Sequence, residues 1–329
     1  MSEVKAVLAA EGYECRILEK LDQVLRMEAD ADCVYAIRDR AAFTRLLMQE
    51  LFICEAEVSA IVRAISTVNL GASVCEGESF AVRVRHVKDH SSSIDGMALE
   101  RTLGDAVLKG TSKTSVDLRN PDRVFVGVLT DERFIFGLKV AEILAKPFVE
   151  RRPRKKPFFH PSAMQAKLAR CMVNLAAPKR GDVLIDPFCG TGSILIEGGL
   201  IGCRVLGFDV QRRMARGTLR NLSHFGVRAE GVVVADARKL PMTKVDCIVT
   251  DPPYGRSATT LKSTTKDIVN AVLSTTSVLL ARGKRICIAA PKTLNIGEMG
   301  VELGYRHLES HFVYVHRTLT REVAVFEKV

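Results

Sequence analysis

The sequence contains no tryptophan, no C-x-x-C pair and no hydrophobic run of the ~18 residues that a membrane span needs. Its 26% charged residues, 23 glycines and 11 prolines in 329 residues are ordinary globular values, which excludes disorder and collagen-like repeats. Acidic residues follow soon after the first methionine, so we expect no secretory leader. Nine cysteines without zinc-ribbon spacing favour reduced thiols in the cytoplasm, with no disulfide framework and no metal site.

Positive charge is concentrated in the second half of the chain. The net charge is +10, from 48 Lys and Arg against 38 Asp and Glu. Residues 1–150 hold 19 basic and 24 acidic side chains, which is −5, whereas residues 151–329 hold 29 and 14, which is +15. Because basic proteins often have polyanionic partners, we expect residues 151–329 to supply most of the attraction to such a partner.

A basic segment that contains prolines separates the two halves. Residues 151–157 read RRPRKKP, and the prolines exclude a continuous helix. We expect a linker at 146–158, which is either a solvated connection or one that also contacts phosphate. The candidate phosphate contacts are the cations of this segment and two on a predicted strand, namely Arg151, Arg152, Arg154, Lys155, Lys156, Arg83 and Arg85.

Hydrophobic periodicity predicts a mixed α+β front half. The pattern predicts a strand at 4–9, a helix at 41–54, a strand at 79–86, a helix at 97–108 and a hairpin of strands at 124–129 and 133–140. We expect two small subdomains that meet near residue 60.

Regular alternation of strands and helices follows the basic segment. Near-continuous apolar strands are predicted at 183–185, 205–208, 232–235, 247–250 and 285–289. A helix is predicted at 263–281, closed by Gly283, and an antiparallel hairpin at 312–316 and 323–326. This pattern predicts an α/β fold with a parallel sheet covered by helices on both faces.

Four successive strands of this half end in an aspartate: Asp186, Asp209, Asp236 and Asp251. A single aspartate at such a position is more often the N-cap of the helix that follows. In an open parallel sheet, however, ligands bind outside the carboxyl ends of the strands. Four carboxylates at one edge therefore indicate a binding site.

The first aspartate precedes a glycine-rich turn. Residues 189–192 read Cys-Gly-Thr-Gly and open a predicted helix, so the backbone can approach a ligand closely at a helix N-terminus. The turn is not the eight-residue P-loop, which disfavours a triphosphate. Asp209 lies 19 residues beyond Gly190, close to the ~20 expected for an acid that binds ribose hydroxyls.

The fourth aspartate opens the sequence Asp251-Pro252-Pro253-Tyr254. Prolines rigidify the turn and donate no N–H, so the turn offers hydrogen-bond acceptors, the Asp251 carboxylate and the Pro252 carbonyl, beside an aromatic ring. Two fixed acceptors can hold the hydrogens of an exocyclic amine on a base, and Tyr254 can stack on a base that has been flipped out.

These motifs resemble those of class I S-adenosylmethionine-dependent methyltransferases that act on amino groups. DPFCGTGSILIE, Phe208-Asp209, Ala235-Asp236-Ala237 and DPPY occur in the family's order, and KKPFFHPSAMQAKLARCMVNLA resembles the start of the catalytic domain in archaeal and eukaryotic tRNA guanosine-10 N2-methyltransferases. SFAVRVRH, MALERTLGDAVL and VDLRNPDRVFVGVL resemble a THUMP domain. The resemblance implies a ferredoxin-like subdomain at 1–58, a THUMP RNA-binding domain at 59–145 and a Rossmann-like methyltransferase domain at 159–329.

The resemblance also implies roles for the site residues, with S-adenosyl-L-methionine as the cofactor. Asp186 and the 189–192 turn, including Cys189, Thr191 and Gly192, hold its amino-acid end, and Asp209 holds the ribose. Asp236 and the Ala237 N–H bind the adenine. Asp251 and Pro252 orient the guanine N2 amine, and Tyr254 stacks on the base. His160 and Ser162 either line the cofactor pocket or pack and cap locally.

Partners and alternatives follow from the same resemblance. tRNA is the expected substrate, so the cations named above become candidate RNA contacts. The strand at 232–234 is predicted to lie at a sheet edge and to pair with the small zinc-binding activator subunit that eukaryotic and some archaeal relatives use. Two other functions remain open: methylation of an amino group on another RNA or DNA base, and RNA binding with a vestigial catalytic domain. The sequence does not decide between one and two methyl transfers.

Overall fold

The computed structural model describes residues 1–253 and 264–329. Its α-helices are α1 Ser2–Glu11, α2 Cys33–Arg40, α3 Val58–Ser66, α4 Gly96–Gly110, α5 Lys146–Glu150, α6 Ala166–Leu175, α7 Ser193–Leu200, α8 Arg212–His224, α9 Thr265–Leu279 and α10 Ile296–Glu302. Its strands are β1 Cys15–Leu21, β2 Val24–Ala29, β3 Leu46–Glu55, β4 Ser79–His86, β5 Ser115–Val116, β6 Arg123–Thr130, β7 Arg133–Glu142, β8 Val183–Asp186, β9 Arg204–Asp209, β10 Gly231–Val234, β11 Val245–Thr250, β12 Leu280–Pro291, β13 Tyr305–His316 and β14 Leu319–Lys328.

The chain divides into two compact units, and the division differs from the predicted domain boundaries. The front unit combines residues 14–38 with 44–143, and the rear unit combines residues 1–13, 39–43 and 144–329. The front unit also includes β3, which ends before residue 58 and pairs with β7 in the same sheet as β4 to β6. The predicted linker at 146–158 folds as part of the rear unit, where Phe148 and Pro153 are buried.

The front unit is built on a five-stranded sheet in the order β3-β7-β6-β4-β5. The predicted strand at 79–86, the helix at 97–108 and the hairpin β6–β7 are all present. The helix predicted at 41–54 is wrong: Leu46–Glu55 is a strand that pairs antiparallel with β7 along its whole length. Its leucines fit either period, and pairing with β7 decides the outcome because strand preference depends on tertiary context.

The rear unit includes the first helix of the chain. A strand was predicted at 4–9, but α1 forms there, because Val4, Val7 and Leu8 follow the i, i+3, i+4 spacing of a buried helix face. Gly12 ends the helix in the left-handed conformation, with φ 81°. α1 contacts α6 and thereby becomes part of the rear unit.

The rear sheet confirms the predicted doubly wound α/β fold. Its seven strands lie in the order β10-β9-β8-β11-β12-β14-β13, parallel from β10 to β12 and antiparallel from β12 to β13. Helix α9 begins with a capping box formed by Thr264 and Asp267. Gly283 does not close this helix; it lies within β12, with φ 73°, where the register against β11 shifts. In the described part of the chain, no helix is long and apolar enough to cross a membrane.

Candidate active site

The carboxyl ends of the parallel strands place three of the predicted aspartates close together. Asp186 ends β8, Asp209 ends the neighbouring β9, and Asp251 follows β11 on the other side of β8. The negative charges of Asp251 and Asp209 both act on Asp186. Asp236 lies further along the same edge, two residues after the outermost strand β10.

Asp186 is a buried carboxylate that forms hydrogen bonds to the start of the turn and to β11. Its Oδ1 accepts hydrogen bonds from Thr250 Oγ1 at 2.8 Å and from the Phe188 N–H at 3.0 Å. Burial, with smaller contributions from Asp251 and Asp209, raises the pKa of Asp186 to about 7, against the lowering effect of these two hydrogen bonds. Since only 1% of Asp186 is exposed, it shapes the site rather than presenting an open surface.

This raised pKa predicts a pH-dependent stability. A carboxyl whose pKa is higher in the folded state binds protons more tightly there, so stability falls as pH rises from about 4 to about 7. We expect Asp186→Asn, which can keep an acceptor oxygen toward Thr250 and Phe188, to flatten this decline and to unfold at a higher temperature than the wild type at pH 8. The unfolding temperatures of the two proteins, measured between pH 4 and 8, test this prediction. Parallel curves for the two proteins would contradict the assignment.

Side chains of helix α8 form hydrogen bonds to the glycine-rich turn. Gly190 and Gly192 have φ of 53° and 77°, and a Cβ on Gly192 would lie 2.9 Å from Thr218 Cγ2. Thr218 Oγ1 donates to the Gly190 carbonyl at 2.7 Å, and Asn221 Nδ2 donates to the Thr191 carbonyl at 2.9 Å. The turn is therefore preorganised by two side chains that the sequence analysis did not identify.

Cys189 and Thr191 lie within this turn and are buried. Burial raises the pKa of the Cys189 thiol well above its ordinary value, so the thiol is a packing group in the protonated form. The Cys189 N–H donates to the Phe208 carbonyl at 2.8 Å, which ties the turn to the end of β9.

Asp209 links the turn to the second strand. Its Oδ2 accepts the Gly190 N–H at 3.1 Å, and its Oδ1 accepts the Gln211 N–H at 2.8 Å. Burial raises the pKa of this carboxyl. A half-buried carboxylate beside the glycine turn is where the resemblance places the ribose-binding acid.

Asp236 is bound by a neighbouring cation. Arg238 Nε lies 2.9 Å and 3.0 Å from the two carboxylate oxygens of Asp236, and this pairing lowers the pKa of Asp236. Ala237 between them is buried. An adenine amine that binds Asp236 would have to share this carboxylate with Arg238.

Asp251 faces a cation from another strand. Arg321 Nη2, on β14, lies 3.3 Å from Asp251 Oδ2, and the two side chains are only 13% and 15% exposed. Pro252 is buried and Pro253 is half-buried. Tyr254, which was predicted to stack on the base, lies outside the described residues. Arg321 did not stand out in the sequence analysis, since it follows Asp251 by 70 residues.

The segment before α6 is also tied to α8. Asn221 Oδ1 accepts the Phe158 N–H at 2.8 Å, and its Nδ2 donates to the Phe158 carbonyl at 2.9 Å as well as to the glycine turn. His160 Nδ1 lies 2.7 Å from Ser162 Oγ and accepts the Ser162 N–H at 3.3 Å. In this structure His160 and Ser162 therefore cap one another, while Asn221 connects their segment to the turn.

The five cations of the basic segment fall into two groups. Arg151 pairs with the buried Glu197 at 2.6 Å, and Lys156 donates to Ser193 Oγ at 2.5 Å. Burial lowers the pKa of Lys156 to about 8. Both side chains, which are among the candidate RNA contacts, are engaged inside the rear unit. The exposed members are Arg152, Arg154 and Lys155, of which Lys155 contacts Glu150.

The two candidate arginines of β4 also differ. Arg83 is half-buried, and its Nη2 donates to the Leu118 carbonyl at 2.7 Å. Arg85 is exposed. Within the front unit, Arg85 is thus better placed than Arg83 for contact with a polyanion.

Family models match most of the chain. Residues 153–321 match the model described as RMKL-like, methyltransferase domain, and residues 55–139 match the THUMP domain. Among curated proteins, the chain is 37% identical to a tRNA (guanine(10)-N2)-dimethyltransferase from Methanothermobacter thermautotrophicus, covering 100% of this chain and 95% of that protein. It is 36% identical to the protein of the same description from Methanocaldococcus jannaschii, covering 77% and 72%.

Solved structures support the fold. TrmN from Thermus thermophilus superposes with a TM-score of 0.56 at 19% identity, covering 99% of this chain and 96% of that one. SMU.472, crystallised as a complex with SAH, superposes with a TM-score of 0.57 at 13% identity, covering 100% and 96%. At these identities the likeness establishes the shared fold alone.

Proposed function

We propose that this chain, which belongs to the family of tRNA (guanine(10)-N2)-dimethyltransferases, methylates the exocyclic N2 amine of guanosine 10 in tRNA, in the cytoplasm. The observation that carries the proposal is Asp251-Pro252 at the end of β11, beside Asp186 and Asp209, in a chain whose whole length matches a relative of that description. The descriptions of the archaeal relatives as dimethyltransferases support a second methylation of the same nitrogen.

The residues at the sheet edge fit S-adenosyl-L-methionine. The turn at 190–192 has left-handed glycines, and side chains of α8 bind its carbonyls, so it offers a fixed and uncrowded backbone at a helix N-terminus. In this proposal Asp209 would hold the ribose, and Asp236 with Ala237 would hold the adenine. When bound, this cofactor supplies an electrophilic methyl group on a sulfonium.

The chain's own part in the reaction is to orient the acceptor amine. The Asp251 carboxylate and the Pro252 carbonyl accept its two N–H groups, and Tyr254 stacks on the guanine. Holding the nitrogen in line with the methyl group supplies much of the rate, because positioning replaces the entropy lost in a bimolecular encounter. The new N–C bond replaces the bond between the methyl carbon and sulfur, and the proton that leaves the nitrogen passes to the Asp251 carboxylate that accepts its hydrogen bond.

The guanosine-10 assignment is tested with labelled methyl donor and tRNA transcripts. We expect methyl transfer to the unmodified transcript and at least a tenfold loss when guanosine 10 is changed to adenosine. Undiminished methyl transfer to the changed transcript would reject guanosine 10 as the methylated position. Methylation found on a different nucleotide would reject it as well. A protein that binds tRNA without transferring methyl groups would support the vestigial alternative.

The exposed cations of the basic segment are proposed to contact tRNA phosphates. Replacing Arg152, Arg154 and Lys155 together by glutamine should weaken tRNA binding and make the slope of log K against log salt shallower by about 2, because fewer counterions are released. Filter binding at several salt concentrations measures this slope. Arg151→Gln is the matched control. It removes the ion pair with Glu197, so it should lower the stability of the protein and leave the salt slope of tRNA binding unchanged. Equal slopes for the triple variant and the wild type would contradict the proposal.

The outermost strand β10 is proposed to bind a small zinc-binding activator subunit. β10 lies at one end of the rear sheet, next to β9, and Val233 and Val234 are 38% and 51% exposed. An apolar strand at a sheet edge is suited to pairing with another chain.

Co-expression with such a subunit should raise the yield of soluble protein and the affinity for S-adenosylmethionine. Val234→Glu should abolish the gain, because a charge then faces the interface. Val278→Glu, at a more exposed valine of α9, should leave the gain intact. No gain from co-expression, or equal effects of the two variants, would contradict the assignment.

A further inference from the structure

Arg321 reaches the active-site edge from the antiparallel part of the sheet. It lies near the start of β14, opposite Pro291 at the end of β12 and Val313 on β13. Because β14 runs antiparallel to β12, its first residues lie at the edge where the parallel strands end. The guanidinium crosses β12 and comes within 3.3 Å of the Asp251 carboxylate.

The environment makes this contact more than a surface ion pair. Both side chains are largely buried, and a buried carboxylate that loses its partner carries a large desolvation cost. Asp186, whose carboxyl interacts electrostatically with that of Asp251, adds negative charge near Asp251 when it is ionised. Arg321 therefore brings a positive charge against the Asp251 carboxylate, which is the one that faces the proposed acceptor.

We propose that Arg321 is a positioning residue, whose guanidinium fixes the Asp251 carboxylate in the orientation that receives the acceptor amine. The inference rests on the proposed function and deepens it. An aspartate at the end of a strand can rotate about two side-chain bonds. A guanidinium paired at 3.3 Å with one carboxylate oxygen restricts that rotation, and Arg holds a carboxylate with more defined geometry than Lys does.

The first test measures methyl transfer to tRNA by Arg321→Met and Arg321→Lys. We expect Arg321→Met to lower kcat about 100-fold, the loss that a misplacement of about 1 Å produces. The dissociation constants for S-adenosylmethionine and tRNA should stay within about twofold of the wild type, and Arg321→Lys should recover part of kcat because the charge remains. Arg306→Met is the control, since Arg306 lies on the neighbouring strand β13, is 62% exposed and pairs with Glu327 of β14; its kcat should equal that of the wild type.

Two outcomes of this test would overturn the proposal. One is a wild-type kcat for Arg321→Met. The other is a parallel loss of kcat and cofactor affinity without recovery in Arg321→Lys, which is the result expected of a purely structural role.

The second test needs no substrate and therefore separates this inference from the proposed function. Thermal unfolding is compared for the wild type, Arg321→Met, Asp251→Asn and the double variant. Arg321→Met should lower Tm by about 5 °C or more, because Asp251 is left buried without this cation, and adding Asp251→Asn should restore most of the loss. Additive changes in Tm would show that the two side chains are not coupled and would reject the role of Arg321. If the wild type fails to methylate guanosine 10, the proposed function falls, and the cycle still decides whether Arg321 fixes Asp251.

Discussion

Replacing Asp251 by alanine is expected to lower kcat by about 1,000-fold while the affinity for S-adenosylmethionine stays within about twofold. In the proposed mechanism this carboxylate is one of the acceptors for the N–H groups of the amine, and removing one preorganised polar group from a reacting centre costs about 100- to 1,000-fold. The residues of β8 and β9 that are proposed to bind the cofactor remain in place, so cofactor binding should persist. Single-turnover methyl transfer to tRNA, together with equilibrium binding of the cofactor, separates the two quantities.

Two further variants sharpen this prediction. Asp251→Asn keeps one acceptor oxygen but adds an N–H₂ donor, so its kcat should lie between those of the wild type and Asp251→Ala. Asp246→Ala is a matched control: Asp246 lies on the same strand, β11, and its Oδ2 accepts the Val183 N–H at 3.0 Å, with no role proposed in the reaction. Full activity of Asp251→Ala would remove this residue from the mechanism. An equal loss in Asp246→Ala would point to general damage to β11.

The sequence predicted the positions of three aspartates and of the glycine turn in the fold, because this information is local. Each of Asp186, Asp209 and Asp251 ends or follows an apolar strand, and the strand pattern by itself implies that parallel strands end at one edge. The glycines at 190 and 192 similarly announce a turn that needs positive φ. The roles assigned to these residues in binding cofactor and base remain predictions.

The parts that the sequence did not predict depend on pairings between distant segments. Arg321 meets Asp251 only because β14 inserts between β12 and β13, a register that local periodicity does not encode. Asn221, in the last turn of α8, joins two separate segments. Lys156 belongs to a run of cations that looks fully solvated, yet its ammonium is buried against Ser193. In each case tertiary contacts override a local pattern.

The same reasoning explains why the division into two compact units differs from the predicted domain boundaries. Glu3 is buried in the rear unit, where its carboxylate accepts hydrogen bonds from Ala42 N at 2.8 Å, Phe43 N at 3.0 Å and Asn174 Nδ2 at 2.9 Å. A cut at the basic segment would therefore remove a helix and a carboxylate from the unit that carries the active site. Residues 144–329 do not contain the whole of that unit.

A variant that lacks residues 2–11 is accordingly expected to unfold at least about 10 °C below the wild type. The deletion removes the buried side chains of α1 and leaves the donors of Ala42 and Asn174 without the Glu3 carboxylate, and each unsatisfied buried donor costs about 1–3 kcal/mol. Glu3→Ala removes only the hydrogen bonds of the Glu3 carboxylate and should lower Tm by about 5 °C or more. Lys5→Ala, at an exposed position of the same helix, should change Tm by less than about 1 °C. Differential scanning calorimetry follows the unfolding transitions, and the affected one should also be the one that S-adenosylmethionine stabilises. An unchanged transition in the truncated protein would show that α1 does not stabilise the rear unit, and would favour the domain boundary predicted from the sequence.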